Sequence, residues 1–190
     1  MKKSIKIFTL CIMLALFLPL SLLQAQIFDK GDIVVSAGLG LGSNYYALGA
    51  GYSTLMPVIF ASGDYCLRED LGPGNLGVGA IMGYTSYKDT YAHSDYYWKV
   101  STFMIGARGT YHFTELVDKL DLYGGISLGG KIVKVKTSYS ELDAYSSHAG
   151  SGVLAEFFGG ARYYFTDNLA VMGELGYGIA WFKIGVSMKF

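Results

Sequence analysis

Cysteine, proline and charge are all scarce in this chain, and each scarcity excludes a class of protein. The 190 residues include two cysteines and three prolines, and 16% are charged. Soluble domains usually carry about 25% charged residues, whereas disordered chains combine low hydrophobicity with high net charge. The formal net charge is zero, so the chain has no basic excess with which to neutralise nucleic-acid phosphates. The composition therefore excludes a disordered chain and a nucleic-acid partner, and the length fits one domain.

A long apolar run occurs only at the N-terminus. Three lysines within the first six residues precede an apolar stretch at 7–23, and a small-residue site ends at Ala25. This order is typical of a secretory signal peptide. We predict a cleaved signal peptide over 1–25 and one mature domain over 26–190, and an N-terminal membrane anchor is the alternative.

Removal of the signal peptide leaves Cys66 as the single cysteine, because Cys11 lies in the apolar stretch. An intrachain disulfide and a cysteine-based metal site are then impossible. The glycine-rich run at 38–42 is not followed by a helical pattern, which excludes a dinucleotide site. We expect neither a metal nor another cofactor, and a lipid bilayer could supply the stability that disulfides do not.

The charge-free stretch 33–63 could suggest a membrane helix, but it holds six glycines and Pro57. Alternation with a period of two residues describes it better, and this period indicates β-strands. Alternation predicts eight strands, at 31–42, 55–67, 74–86, 97–113, 119–135, 150–165, 168–177 and 179–190. Short connections at 68–73, 114–118 and 166–167 alternate along the chain with longer polar connections at 43–54, 86–96 and 136–149.

An even number of antiparallel strands with this loop asymmetry is the pattern of transmembrane barrels. We predict an all-β fold: an eight-stranded antiparallel transmembrane β-barrel with short periplasmic turns and longer extracellular loops. It would lie in the bacterial outer membrane as a monomer, with both termini periplasmic. A soluble β-sandwich also alternates, but consistently apolar outward positions and aromatic residues at strand ends argue against it.

The C-terminal stretch FTDNLAVMGELGYGIAWFKIGVSMKF resembles the closing hairpin of small outer-membrane β-barrel proteins. These are the OmpA/OmpX-like and opacity-type family, often labelled porin-like. The resemblance implies outer-membrane lipid and lipopolysaccharide as partners. It also implies a C-terminal signal that the barrel-assembly machinery reads, formed here by Ile184, Val186, Met188 and Phe190.

Ten charged residues have inward parity, and they are the main candidates for a functional site. They are Asp32, Asp64, Arg108, Asp121, Lys131, Glu156, Arg162, Glu174, Lys183 and Lys189. An eight-stranded barrel is just wide enough to be filled by side chains, so inward charges must be paired. We predict a structural network, with Glu174 opposite Lys183 across the last hairpin. A gated ion or proton path is the alternative.

The predicted outer loops carry tyrosine and histidine. The tyrosines suit a surface-binding function, and an extended aromatic belt is the alternative. They are Tyr45, Tyr46, Tyr87, Tyr91, Tyr96, Tyr97, Tyr139 and Tyr145. His93 and His148 each lie beside a serine, but a hydrolase needs a base that contacts the nucleophile and an orienting third group. We identify no catalytic residue and place His112 near the periplasmic rim.

We therefore predict a non-enzymatic barrel with a filled, charge-paired lumen that serves envelope integrity or surface interaction. A small porin-like channel is the first alternative, and a lipid-modifying enzyme is the second.

Overall fold

The computed structural model describes residues 28–42, 54–90, 97–113, 118–137 and 151–190. These residues form eight strands: β1 (Ile33–Leu41), β2 (Thr54–Arg68), β3 (Gly74–Thr90), β4 (Tyr97–Phe113), β5 (Leu120–Thr137), β6 (Gly152–Tyr164), β7 (Leu169–Tyr177) and β8 (Phe182–Lys189). Each strand pairs antiparallel with the next, and β8 pairs with β1 to close the barrel. The predicted fold class is confirmed. No described residues form a helix long and apolar enough to cross a membrane.

Alternation along each strand separates a buried inner face from an apolar outer face. On β4, Met104 is fully buried while its neighbour Ile105 is 51% exposed. Aromatic residues are exposed near the ends of the outer face, including Tyr65, Phe113, Tyr163, Phe165 and Phe190 at one end and Tyr84 and Tyr177 at the other. A closed sheet has no second sheet to cover its outer face, so this surface fits hydrocarbon and argues against the soluble sandwich.

The two ends of the barrel differ. Phe28 and Phe190 lie at one end, which we call the terminal end, where Phe190 and Ile33 exchange backbone hydrogen bonds of 2.8 and 3.1 Å. The short connections 69–73 and 165–168 also lie there. The opposite end, where β3 finishes and β4 begins, is the loop end.

Four neighbouring strands, β2 to β5, extend past the others at the loop end, and β3, β4 and β5 are the longest. β4 has 17 residues and β7 has 9. At about 3.3 Å per residue and a tilt of about 45°, these strands rise roughly 40 and 21 Å. The apolar band of outer-membrane barrels is about 25 Å tall, so β3, β4 and β5 project beyond it.

The extension corrects one sequence prediction. We predicted a loop over 86–96, but β3 continues to Thr90 and pairs with β4 through Lys88–Lys99 and Thr90–Tyr97. Tyr87 and Tyr97 are therefore strand residues rather than loop residues. The sequence signal failed because polar residues are tolerated in strands that have left the apolar band.

The connection between β7 and β8 also differs from its prediction. We predicted a strand from residue 179, but β8 begins at Phe182 because Gly178 adopts a φ of 140°. Ile179 and Ala180 turn into the lumen and are fully buried. These two residues pack in a hydrophobic cluster that we call the apolar cap. Its other members are Val58, Phe60, Ile81, Met104, Leu154 and Met172.

Phe28 fills the lumen at the terminal end. Its ring is fully buried and stacks on His112, with ring centroids 3.9 Å apart. Asn75 Nδ2 donates a 2.6 Å hydrogen bond to the Phe28 carbonyl. Phe28 and the apolar cap thus lie on either side of the central part of the barrel.

Gly178 should be sensitive to substitution, because a Cβ there would lie 2.7 Å from both the Ala155 oxygen and the Glu156 Cβ. We expect Gly178→Ala to lower the free energy of unfolding by about 1–3 kcal/mol, measured by urea titration in detergent. Gly173→Ala is the matched control, since its Cβ would meet no atom within 4 Å and should change stability by about 0.5 kcal/mol or less. Equal losses in the two variants would contradict this role for Gly178.

Candidate functional site: the charge network of the lumen

Seven charged side chains from six strands meet in the centre of the barrel. Each is at most 3% exposed: Asp64, Arg108, Asp121, Glu156, Arg162, Glu174 and Lys183. We call this set the charge network. All seven were predicted to face inward, because the two-residue period of a strand assigns each side chain to one face.

Two arginines share one carboxylate. Arg108 Nε lies 2.9 Å from Asp64 Oδ1, and Arg162 Nη2 contacts Asp64 Oδ2. Each arginine also reaches a second acid: Arg108 Nη2 lies 2.5 Å from Glu174 Oε1, and Arg162 Nη1 lies 3.2 Å from Asp121 Oδ2. These contacts connect strands that are not neighbours in the sheet.

Lys183 joins two glutamates. Its Nζ lies 2.6 Å from Glu174 Oε2 and 2.7 Å from Glu156 Oε1. Glu174 and Lys183 are direct partners in the register of β7 and β8, so the pair expected from the hairpin is present. The additional contacts of Lys183 with Glu156 and of Arg108 with Glu174 were not predicted, because they cross the lumen between strands that are not paired.

Aromatic rings complete the surroundings of the network. Tyr123 Oη donates a 2.8 Å hydrogen bond to Glu174 Oε1, and the Arg162 guanidinium lies 4.3 Å from the Tyr123 ring centroid. Arg108 lies 3.9 Å from the centroid of Phe158. Cation–π contacts of this kind are favourable when desolvated. Strand alternation predicts that Tyr123 and Phe158 face inward, but the sequence pattern does not predict which charged residues they contact.

His112 is the penultimate residue of β4, near the terminal end as the sequence predicted, but it faces inward and extends the charge network. The imidazole is fully buried, with Nδ1 2.8 Å from Asp121 Oδ1 and Nε2 2.9 Å from Thr110 Oγ1. The Phe28 ring covers the imidazole at the terminal end, which the sequence pattern did not reveal. The network has four carboxylates and three cationic side chains.

One set of contacts resembles a hydrolytic triad, in which a base touches a nucleophile and a third group orients the base. In that arrangement Thr110 would be the nucleophile, His112 the base and Asp121 the orienting group. However, Thr110 is only 2% exposed, and Phe28 stacks on the imidazole. A nucleophile must meet a substrate atom, so these positions support a structural role for the three residues.

The remaining predicted charges lie elsewhere. Asp32 and Lys189 form a partly exposed pair at the terminal end, with Oδ2 and Nζ 3.5 Å apart. Nearby, burial and the Asp32 and Glu69 carboxylates raise the pKa of Asp29 above its ordinary value. Lys131 is half-buried on β5, opposite Met104 in the register.

The other predicted candidates are the assembly signal and the loop residues. The predicted assembly-signal residues Ile184, Val186, Met188 and Phe190 are all exposed on the outer face. Within the described ranges, no three His, Cys, Asp or Glu side chains could together hold a metal ion. The signal peptide, His93, His148, Tyr45, Tyr46, Tyr91, Tyr96, Tyr139 and Tyr145 lie outside the described residues.

Comparison with known proteins identifies the fold. No family description and no curated protein matches the chain. OprG of Pseudomonas aeruginosa matches with a TM-score of 0.57 at 12% identity, over 87% of this chain and 98% of OprG. The outer membrane protein W of E. coli matches with a TM-score of 0.52 at 13% identity, over 85% of this chain and 99% of that protein.

A third solved structure has the same fold. Ail of Yersinia pestis, in complex with the heparin analogue sucrose octasulfate, matches with a TM-score of 0.50 at 14% identity, over 85% of this chain and 100% of Ail. These similarities, together with the apolar exterior, define the class: a small eight-stranded β-barrel of the outer-membrane type. The resemblance to OmpA/OmpX-like barrels is thus confirmed at the level of the fold.

The network should respond to substitution as a coupled unit. Glu174→Ala leaves Lys183 with Glu156 as its remaining carboxylate, and Lys183→Ala leaves two buried glutamates undercompensated. We expect each single change to cost about 3–5 kcal/mol, and the double variant to cost less than the sum of the two. Urea unfolding of the refolded barrel measures all three losses, with the exposed turn substitution Asp167→Ala as a control. Losses that simply add would mean that the two residues are not coupled.

Proposed function

We propose that this chain is an integral, non-enzymatic and non-conducting protein of the bacterial outer membrane. In this proposal, the projecting strands and loops of the loop end perform the function, which is surface interaction or support of the envelope. The observation that carries the proposal is the filled lumen, because it leaves the outer surfaces as the part of the molecule that other molecules can reach.

The filling of the lumen argues against the porin-like alternative. Along the barrel axis lie Phe28, then the charge network, then the apolar cap. An ion that passed the cap would lose its hydration, and the effective cost for a buried ion is several kcal/mol. Each cation of the network also already contacts two carboxylates, so displacing one would break two ion pairs.

The difference between the ends supports the proposed orientation, with both termini periplasmic. Outer-membrane barrels have short periplasmic turns and longer extracellular loops, and the short connections here share an end with Phe28 and Phe190. We further propose that the exposed C-terminal row ending at Phe190 is the signal for the barrel-assembly machinery, and that the protein acts as a monomer.

Surface interaction is favoured over a purely structural role by the length of β3, β4 and β5. Strands of 17, 17 and 18 residues exceed what the membrane requires. Together with the start of β2, whose Thr54 pairs with Lys88, they form a sheet outside the apolar band. The related fold of Ail was solved with a sulfated heparin analogue, and we propose that the loop end of this chain likewise contacts a component of another surface.

The filled lumen predicts that planar bilayers containing the refolded protein will show no unitary conductance at neutral pH. Heat-modifiable gel migration of the same sample should verify that the barrel is folded, and detergent without protein should serve as the blank. Reproducible unitary steps from the folded sample would contradict the proposal and favour the porin-like alternative.

The orientation predicts an asymmetric labelling pattern on intact cells. Asp89→Cys at the loop end should react with a membrane-impermeant maleimide, because it would lie outside the cell. Asp167→Cys, in the exposed turn at the terminal end, should react only after the outer membrane is permeabilised. Cys66 is buried, so the parent protein provides the background. The reverse pattern would overturn the orientation.

A further inference from the structure

Apart from Arg68 at the terminal end of β2, the outward-facing charges of the described strands are all lysines. Strand alternation places four charged side chains on the outer face: Lys88, Lys99, Lys134 and Lys136. They lie on β3, β4 and β5, near the loop end, and we call them the lysine cluster. The other described faces of the barrel carry no comparable group of charges, since the remaining strands place their charged residues inward or at their ends.

Register brings the lysines side by side. Lys88 is the direct partner of Lys99, and Lys99 is the direct partner of Lys136. Lys134 faces the same way two positions before Lys136 on β5. Paired strands lie about 4.8 Å apart, and like charges directly opposite each other destabilise a sheet. An anion bound against such a row would offset the repulsion.

The described part of the chain does not supply that anion. The ion pairs among described residues involve none of the four lysines. Lys88 has an aromatic contact instead, with its Nζ 4.5 Å from the Tyr97 ring centroid. Lys99, Lys134 and Lys136 are exposed.

From the terminal end toward the lysine cluster, the outward-facing residues of β3, β4 and β5 change from apolar to polar to charged. Tyr84, Phe103 and Ile132 form an exposed apolar row across the same three strands. The next outward row contains Ser86 and Ser101, whose hydroxyl oxygens are 3.3 Å apart, and Lys134. Lys88, Lys99 and Lys136 follow. An amphiphile with acyl chains, hydroxyl groups and phosphates presents the complementary order.

The height of the cluster fits the headgroups of a membrane. Phe103 precedes Phe113, at the terminal end of β4, by ten positions. At about 3.3 Å per residue and a tilt of about 45°, Phe103 lies about 23 Å above Phe113, and Lys99 lies about 33 Å above it. The apolar band is about 25 Å tall, so the apolar row reaches its upper edge and the lysines lie just beyond it.

We propose that Lys88, Lys99, Lys134 and Lys136 bind the phosphate groups of a glycolipid in the outer leaflet, with its acyl chains against Tyr84, Phe103 and Ile132. This inference rests on the proposed outer-membrane location with the loop end outward. A soluble sulfated glycan would match the charge of the lysines, but it would leave the apolar row beneath them without a partner. The site therefore fits an anchored lipid better.

The test measures binding of the refolded mature protein, in neutral-detergent micelles, to lipid A with both phosphates. The variant K88Q/K99Q/K134Q/K136Q removes the positive charges with little change in side-chain length. We expect at least a tenfold increase in Kd, because each lysine near an anionic surface contributes favourably to binding. Replacing the same four lysines by arginine should keep the Kd within about threefold. The control K30Q/K119Q changes two exposed lysines at the terminal end and should leave Kd unchanged.

Ligand controls distinguish the possible sources of the anion. Dephosphorylated lipid A should bind at least tenfold more weakly than the phosphorylated form, and sucrose octasulfate should compete poorly. An unchanged Kd in the glutamine variant, or equal binding of dephosphorylated lipid A, would overturn the proposal. Charge-dependent binding of sucrose octasulfate at an affinity equal to that of lipid A would overturn it in favour of a soluble polyanion site.

Folding of each variant is checked by heat-modifiable migration. If the quadruple variant does not fold, the triple variant that retains the half-buried Lys88 gives the same comparison with three exposed positions. Binding in micelles does not depend on orientation in a cell, so reversed maleimide labelling with intact lipid A binding would contradict the proposed orientation while leaving the phosphate site in place.

Discussion

The barrel depends on the neutralisation of charge in a lumen that is too narrow to hydrate it. Asp64 illustrates the constraint, because its two oxygens contact Arg108 and Arg162 from two other strands. Removing one member of such a set leaves a buried charge, which costs more than the pair itself contributes. The charge network therefore joins β2, β4, β5, β6, β7 and β8 without a disulfide.

The same contacts specify the register. A slip of one residue between two strands moves every side chain to the opposite face, and a slip in β8 would place Lys183 in hydrocarbon while its two glutamates remained inside. An apolar core tolerates small misalignments better than a charge network does. We infer that the network selects one barrel among several with similar apolar exteriors, which explains why so many charges are retained in so small a lumen.

The sequence predicted the faces of the strands far better than the contacts across the lumen. Alternation assigned all seven network residues inward, and hairpin arithmetic was enough to pair Glu174 with Lys183. The Arg108–Glu174 contact follows only from closure of the barrel, because β4 and β7 are not paired. Ile179 was misplaced for a different reason: an isoleucine before a strand reads as a strand residue, and the turn of Gly178 into the lumen has no periodic signal.

The charged residues inside the barrel and those on its outer face are arranged differently. The network gathers both signs, so its cations find partners within the chain, and the apolar cap and Phe28 can enclose it. The lysine cluster gathers one sign on adjacent strands, and no described carboxylate forms an ion pair with it. Selection for barrel stability alone would disperse such lysines or pair them with carboxylates, as happens inside. Their arrangement above an apolar row is therefore the reason for which we propose an anionic lipid at this end.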